Sequence, residues 1–180
     1  MKKIISLMAT AMLAFSAISA QAADGTLKFT GSIGSSTCQV TGGENPIITV
    51  HMGAVPLETL RKNPEGPEVG FAISLQNCQS GTYYLVLDGV SAAEHPDVLM
   101  LDSASQAKGV GIQVRDISGD EVVLNQALKP DEGARVKIEV PEGQTGSGTF
   151  YLKARYFAYD PNNLVAGSAD ATATFTVIQH

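Results

Sequence analysis

Three histidines, two cysteines and a few adjacent carboxylates are the residues with which this 180-residue chain could do chemistry. Acyl transfer needs a His held against a nucleophile, and a zinc site needs several ligands at short, regular spacing. His51 alternates with apolar neighbours, His95 precedes Pro96 in a loop-like stretch, and His180 ends the chain, so no two of them form such a motif. The neighbours Asp131 and Glu132, like Asp120 and Glu121, sit in turn-like segments with no apolar run to raise a carboxyl pKa. Gly109-Val110-Gly111 leads into an alternating segment and lacks both the longer glycine pattern and the helix of a phosphate loop. No stripe of aromatic and basic residues suits single-stranded nucleic acid. These residues predict no catalytic, metal or cofactor site, which makes an exported enzyme the weakest of the function classes.

The two cysteines have a different use. Lys2 and Lys3 precede an apolar run from Ile4 to Ile18, and Ala20 and Ala22 follow at the spacing a signal protease reads. Residues 1–22 therefore read as a secretory leader cut after Ala22, shorter in its apolar run than the ~20 residues of a membrane span. In an oxidising compartment Cys38 and Cys78, which form no CxxC pair, predict one disulfide. The formal charge of −6 falls to about −8 once the leader lysines are gone, which argues against nucleic acid and anionic lipid as partners.

The elements that must carry these residues are strands. Outside the leader, period-two alternation recurs and no window keeps apolar residues at helical spacing. Candidate strands cover residues 47–52, 71–78, 83–90, 110–116, 121–125, 134–140, 148–159 and 171–179. Between them lie segments rich in Gly, Pro, Asn and Asp, and "SGD" at 118–120 reads as a hairpin turn. One all-β domain, an antiparallel sandwich or barrel, is expected.

Three strands have faces worth separating. In 148–159, Phe150, Leu152, Ala154, Tyr156 and Ala158 form a core face. The opposite row, Tyr151, Lys153, Arg155, Phe157 and Tyr159, reads as solvated sheet surface or as a contact patch. Near the start, Leu27, Phe29, Gly31 and Ile33 fall on one face and Lys28, Thr30 and Ser32 on the other. At the end, Ala171, Ala173, Phe175 and Val177 alternate in the same way.

In order and spacing, "GTLKFTGSIGSSTCQV", "FAISLQNC", "AKGVGIQVRDISGDEVVLN" and "YLKARYFAYDPNNLVAGSADATATFTV" resemble a fimbrial subunit, a pilin of the chaperone-usher type 1 family. The resemblance implies an incomplete immunoglobulin-like antiparallel sandwich completed by a donated strand, with a groove where the last strand is missing. It divides the chain into a leader (1–22), an N-terminal donor-strand extension (23–37) and a pilin domain (38–180). Leu27, Phe29, Gly31 and Ile33 would then enter the groove of a neighbouring subunit, with Gly31 at a shallow position. Ala171, Ala173, Phe175 and Val177 would line the last strand at the groove's edge. Cys38 and Cys78 match the family's disulfide.

The implied partners are neighbouring fimbrial subunits, a periplasmic chaperone that lends a strand to the groove, and an outer-membrane usher. The implied destination is a cell-surface fimbrium that supports adhesion, reached through the periplasm. Family members commonly carry Tyr as the penultimate residue, where this chain has Gln179. The contrasting reading is a complete, monomeric exported β-sandwich that binds carbohydrate or another ligand, with residues 24–37 paired inside their own domain.

Overall fold

The computed structural model describes residues 38–43, 46–127 and 133–180, all within one compact unit, Ser35–His180. The expected leader, the extension with Leu27, Phe29, Gly31 and Ile33, and the pair Asp131 and Glu132 lie outside the described residues.

Alternation builds the two longest strands. In β2 (Val69–Cys78), Ile73 and Leu75 are buried while Gly70, Ala72 and Gln76 are exposed; in β8 (Gly146–Phe157), Phe150, Leu152, Ala154 and Tyr156 are buried. The antiparallel register sets Phe71 opposite Leu152 and Ile73 opposite Phe150, so the apolar rows coincide on one face. This pair is the second and third strand of a six-stranded sheet in the order β1-β2-β8-β6-β5-β4, with β1 Gln39–Val40, β4 Ser91–Ala92, β5 His95–Met100 and β6 Gly111–Asp116. A second sheet has the order β7-β3-β9, with β3 Gly81–Asp88, β7 Arg135–Ile138 and β9 Thr174–Gln179. Tyr83, Leu85, Leu87 and Ile138 from this sheet join the buried side chains of β2, β6 and β8 in one core.

Where β7 approaches β8, a Cβ at Gly148 would stand 2.9 Å from Ile138 Cδ1 and 3.1 Å from Val136 Cγ2. Glycine there admits the close approach of the two sheets. The Cys38–Cys78 disulfide is formed and ties the start of β1 to the buried end of β2.

Several sequence expectations are corrected. A short helix, α1 (Leu57–Lys62), follows Pro56; its six residues are too few to show a helical period. Residues 47–52 join no strand of either sheet among the described residues, although Ile48, Val50 and Met52 are half-buried and Ile47, Thr49 and His51 are exposed. The turn at 118–120 exists, with the Gly119 N–H donating to Asp116 O, but the returning strand stops after one bridge, Arg115 to Glu121. Beyond it the Leu124 N–H bonds Pro96 O and the Asn125 N–H bonds Leu87 O, which takes the chain across to the other sheet. His95 begins β5 and is not in a loop.

The outer row of β8 is also not uniformly solvated. Tyr151 is 60% exposed and Lys153 pairs with Glu68 at 3.0 Å, but Arg155 is only 3% exposed. The segment after α1 covers Arg155 through an isolated bridge between Glu65 and Phe157.

Candidate functional site

The histidines stay apart in role. His51 is exposed, His95 lies against the Phe157 ring with centroids 5.6 Å apart, and His180 lies against Tyr84 at 6.3 Å. Among the described residues, no group of three or more His, Cys, Asp or Glu could hold a metal ion.

The continuous feature is the edge formed by the end of the chain. β9 pairs with β3 on one side, Val177 opposite Leu85 and Phe175 opposite Leu87, and no described strand pairs with its other side. The His180 N–H donates to Thr82 O at 2.9 Å. Because bonded and non-bonded pairs alternate along an antiparallel ladder, the even residues Thr174, Thr176 and Ile178 also turn their backbone groups toward β3. Phe175, Val177 and Gln179 then turn theirs away from it.

Their side chains are unequal in exposure. Phe175 and Val177 share the core side with Leu85 and Leu87, yet both are only half-buried. Upstream of the ladder, Ala169, Ala171 and Ala173 keep the same alternation, half-buried between exposed Ser168, Asp170, Thr172 and Thr174. Ala171, Ala173, Phe175 and Val177 thus fall in one row, although the ladder with β3 begins only at Thr174 and the two alanines precede it.

Side chains missed in the sequence hold this upstream half. The Asp102 carboxylate accepts from the Thr172 N–H at 3.0 Å and from its hydroxyl at 2.8 Å, and the Ser105 hydroxyl accepts from the Asp170 N–H at 2.9 Å. Tyr156 reaches the same segment from the core, its hydroxyl donating to Ala169 O at 3.3 Å. Burial first, then the nearby Asp170 carboxylate, raises the Tyr156 phenol above its ordinary value. Beyond the ladder, the Gln179 side chain donates to Ser80 O at 3.2 Å. Asp102 and Ser105 had no sequence signal beyond their residue type, whereas Tyr156 was expected on the core face and Gln179 stood out at the penultimate position.

Among the described residues this is an antiparallel, immunoglobulin-like sandwich left incomplete along one strand edge, the fold of pilus rod subunits. The chain belongs to the fimbrial protein family, whose model matches residues 27–179. It is 36% identical to a type-1 fimbrial protein subunit of Serratia marcescens, with 98% of both chains covered. It is 34% identical to the A chain of the type-1 fimbrial protein of Escherichia coli, over 85% of this chain and 81% of that one. Among solved structures, the P pilus rod subunit PapA superposes with a TM-score of 0.64 at 18% identity, covering 79% of this chain and 99% of PapA. A chain from a chaperone-usher pilus superposes equally well, at 0.64 and 18% identity, over 88% of this chain and 96% of that one. The shared fold extends over nearly all of the two solved chains.

Proposed function

We propose that this protein polymerises into a surface fimbria by donor-strand exchange and so supports adhesion. Residues 1–22 are the leader, residues 23–37 the donor extension and residues 38–180 the receiving domain. Leu27, Phe29, Gly31 and Ile33 of one subunit add as a strand beside β9 of the next, where Ala171, Ala173, Phe175 and Val177 meet them. A periplasmic chaperone occupies the same edge beforehand, and an outer-membrane usher is where the exchange takes place.

The observation that carries this reading is the edge itself. Phe175 and Val177 sit beside buried leucines and remain half-open, while the backbone groups of the same residues turn away from β3. Such an edge binds a strand through main-chain hydrogen bonds, and alternate side chains fill the row. Burying Leu27, Phe29 and Ile33 is worth roughly 1.5 to 3 kcal/mol for each side chain.

The test compares the mature chain from Ala23 with one lacking residues 23–37. The full chain is expected to form polymers that survive detergent until heated. The shortened chain is expected to form none, and to bind a synthetic peptide of residues 24–37. A full chain that stays a stable monomer without chaperone or peptide would overturn the proposal in favour of a complete exported sandwich.

A further inference from the structure

β3 ends at Asp88, opposite Thr174, so it backs the final edge only from Thr174 onward. Upstream, the loop of residues 102–108 takes its place with a mixed set of bonds. The Asp102 N–H donates to Asp170 O at 2.8 Å, and the Ser105 hydroxyl both donates to Asp170 O and accepts from the Asp170 N–H, each at 2.9 Å. The Asp102 carboxylate takes both the N–H and the hydroxyl of Thr172. The Gln106 and Ala107 N–H groups reach Ser168 O at 3.0 Å, and Lys108 and Val165 exchange both of their backbone bonds at 3.1 Å. The Ser105 N–H donates to Asp102 O at 2.8 Å, closing the turn that presents both side chains. Ser105 is buried, at 8% exposure.

Among the described residues, the hydrogen bonds of residues 168, 170 and 172 run to this loop. The loop therefore continues the pattern that residues 174–180 follow against β3, and it leaves Ala171 and Ala173 turned to the same side as Phe175 and Val177. We propose that Asp102 and Ser105 are positioning residues for strand exchange: they hold residues 169–173 in register as an upstream extension of the acceptor edge.

Length shows why an extension is needed. At about 3.3 Å per residue, the row from Leu27 to Ile33 spans about 20 Å, whereas the β3-backed stretch from Thr174 to Gln179 spans about 17 Å. Only Phe175, Val177 and Gln179 turn outward there, fewer than the four residues of the donor row. Adding the segment held by Asp102 and Ser105 lengthens the edge from Ala171 to Gln179, about 26 Å. This inference rests on the reading that β9 receives a neighbour's strand.

The test uses the full mature chain with Asp102→Ala, Asp102→Asn and Ser105→Ala. It reads the initial rate of polymer formation together with hydrogen exchange at individual amides. Asp102→Ala, which removes both bonds to Thr172, is expected to slow polymerisation about tenfold. It should also speed exchange at residues 169–173 and leave residues 175–179 unchanged, a split that general destabilisation would not produce. Asp102→Asn keeps an acceptor for the Thr172 N–H and a donor toward its hydroxyl, and is expected to restore the wild-type rate. If Asp102→Ala does not fold, Ser105→Ala is expected to show the same slowing and the same split. Wild-type polymerisation rates in the variants that fold would overturn the inference. A wild-type chain that never polymerises would instead refute the underlying function.

Discussion

The Arg155 guanidinium lies buried against the Glu65 carboxylate, which arrives from the segment after α1 and grips it with two parallel bonds, Nη2 to Oε1 at 2.7 Å and Nη1 to Oε2. The Arg155 Nε donates to its cross-strand neighbour Gln113 at 2.7 Å, and the Gln113 amide bonds Asp97 in turn. A buried guanidinium without its carboxylate is an uncompensated charge. Glu65→Ala is therefore expected to lower stability by about 3 kcal/mol. Arg155→Met, which removes the charge and keeps an apolar stem, should be milder. Urea midpoints of the two variants decide this, and equal losses would show that the ion pair is not the source.

Tyr156 contributes to the loss of stability at alkaline pH, alongside Tyr83, whose phenol is raised by burial in the same direction. The Tyr156 phenol is raised above the ordinary value of 10.0, chiefly by burial and then by Asp170. Because the folded state holds the phenol proton more tightly than the unfolded chain does, folding is favoured while both are neutral and loses that advantage as the unfolded phenol ionises. The neutral form is fully accommodated below about pH 10, and stability falls as pH rises from there through the folded pKa. Tyr156→Phe should flatten that decline without altering the profile below pH 9 or so. Urea unfolding between neutral and strongly alkaline pH checks it, and an unchanged slope in Tyr156→Phe would assign the decline elsewhere.

How much of this was legible follows from where the deciding contact lies. β2 and β8 were readable because alternation survives in the apolar residues of their core face, and β3, which buries Tyr83, Tyr84 and Leu85 in succession, because an aromatic and β-branched run stands between turn signals. β5 was not, because Val98 and Leu99 are both buried and Pro96 interrupts the run, so no alternation remains. Residues 121–125 alternate like a strand but form no ladder beyond the Arg115–Glu121 bridge: Val122 bonds Val114 of β6, Leu124 bonds Pro96 of β5, and Asn125 bonds Leu87 of the other sheet. Arg155 occupies an outward position on its strand and reads as solvated; only Glu65, ninety residues earlier, reverses that. The row of Ala171, Ala173, Phe175 and Val177 was visible as alternation. The side chains that hold its upstream half, Asp102 and Ser105, look like ordinary loop residues.

Glu94 is held in the left-handed region, φ 67°, in the two-residue turn where β4 passes to β5 between Ala92 and His95. A side chain there crowds the following carbonyl, at a cost of roughly 1–2 kcal/mol that glycine avoids. Glycine returns part of this as added freedom of the unfolded chain. Glu94→Gly is expected to stabilise the protein by about 1 kcal/mol, with Glu94→Asn in between. Thermal unfolding of the three proteins tests the order, and a less stable glycine variant would place the controlling contact in the Glu94 side chain.

The Cys38–Cys78 bond matters for where it sits. β1 is two residues long and joins β2 only through Gln39 with Gln76 and Val40 with Leu75, followed by the Thr41 N–H to Ser74 O bond. So short a strand is marginal by itself. The disulfide fastens it to Cys78, the fully buried last residue of β2, which pairs with β8 along its length. Closing a loop of 40 residues restricts the unfolded chain by about 4 kcal/mol. Changing both cysteines to serine should cost about that much in global stability. It should also let the amides of residues 39–41 exchange at nearly the rate of free chain while those of β8 stay protected. The local effect separates anchoring from general weakening: uniform acceleration across β1, β2 and β8 would mean that the bond stabilises the domain without pinning its first strand.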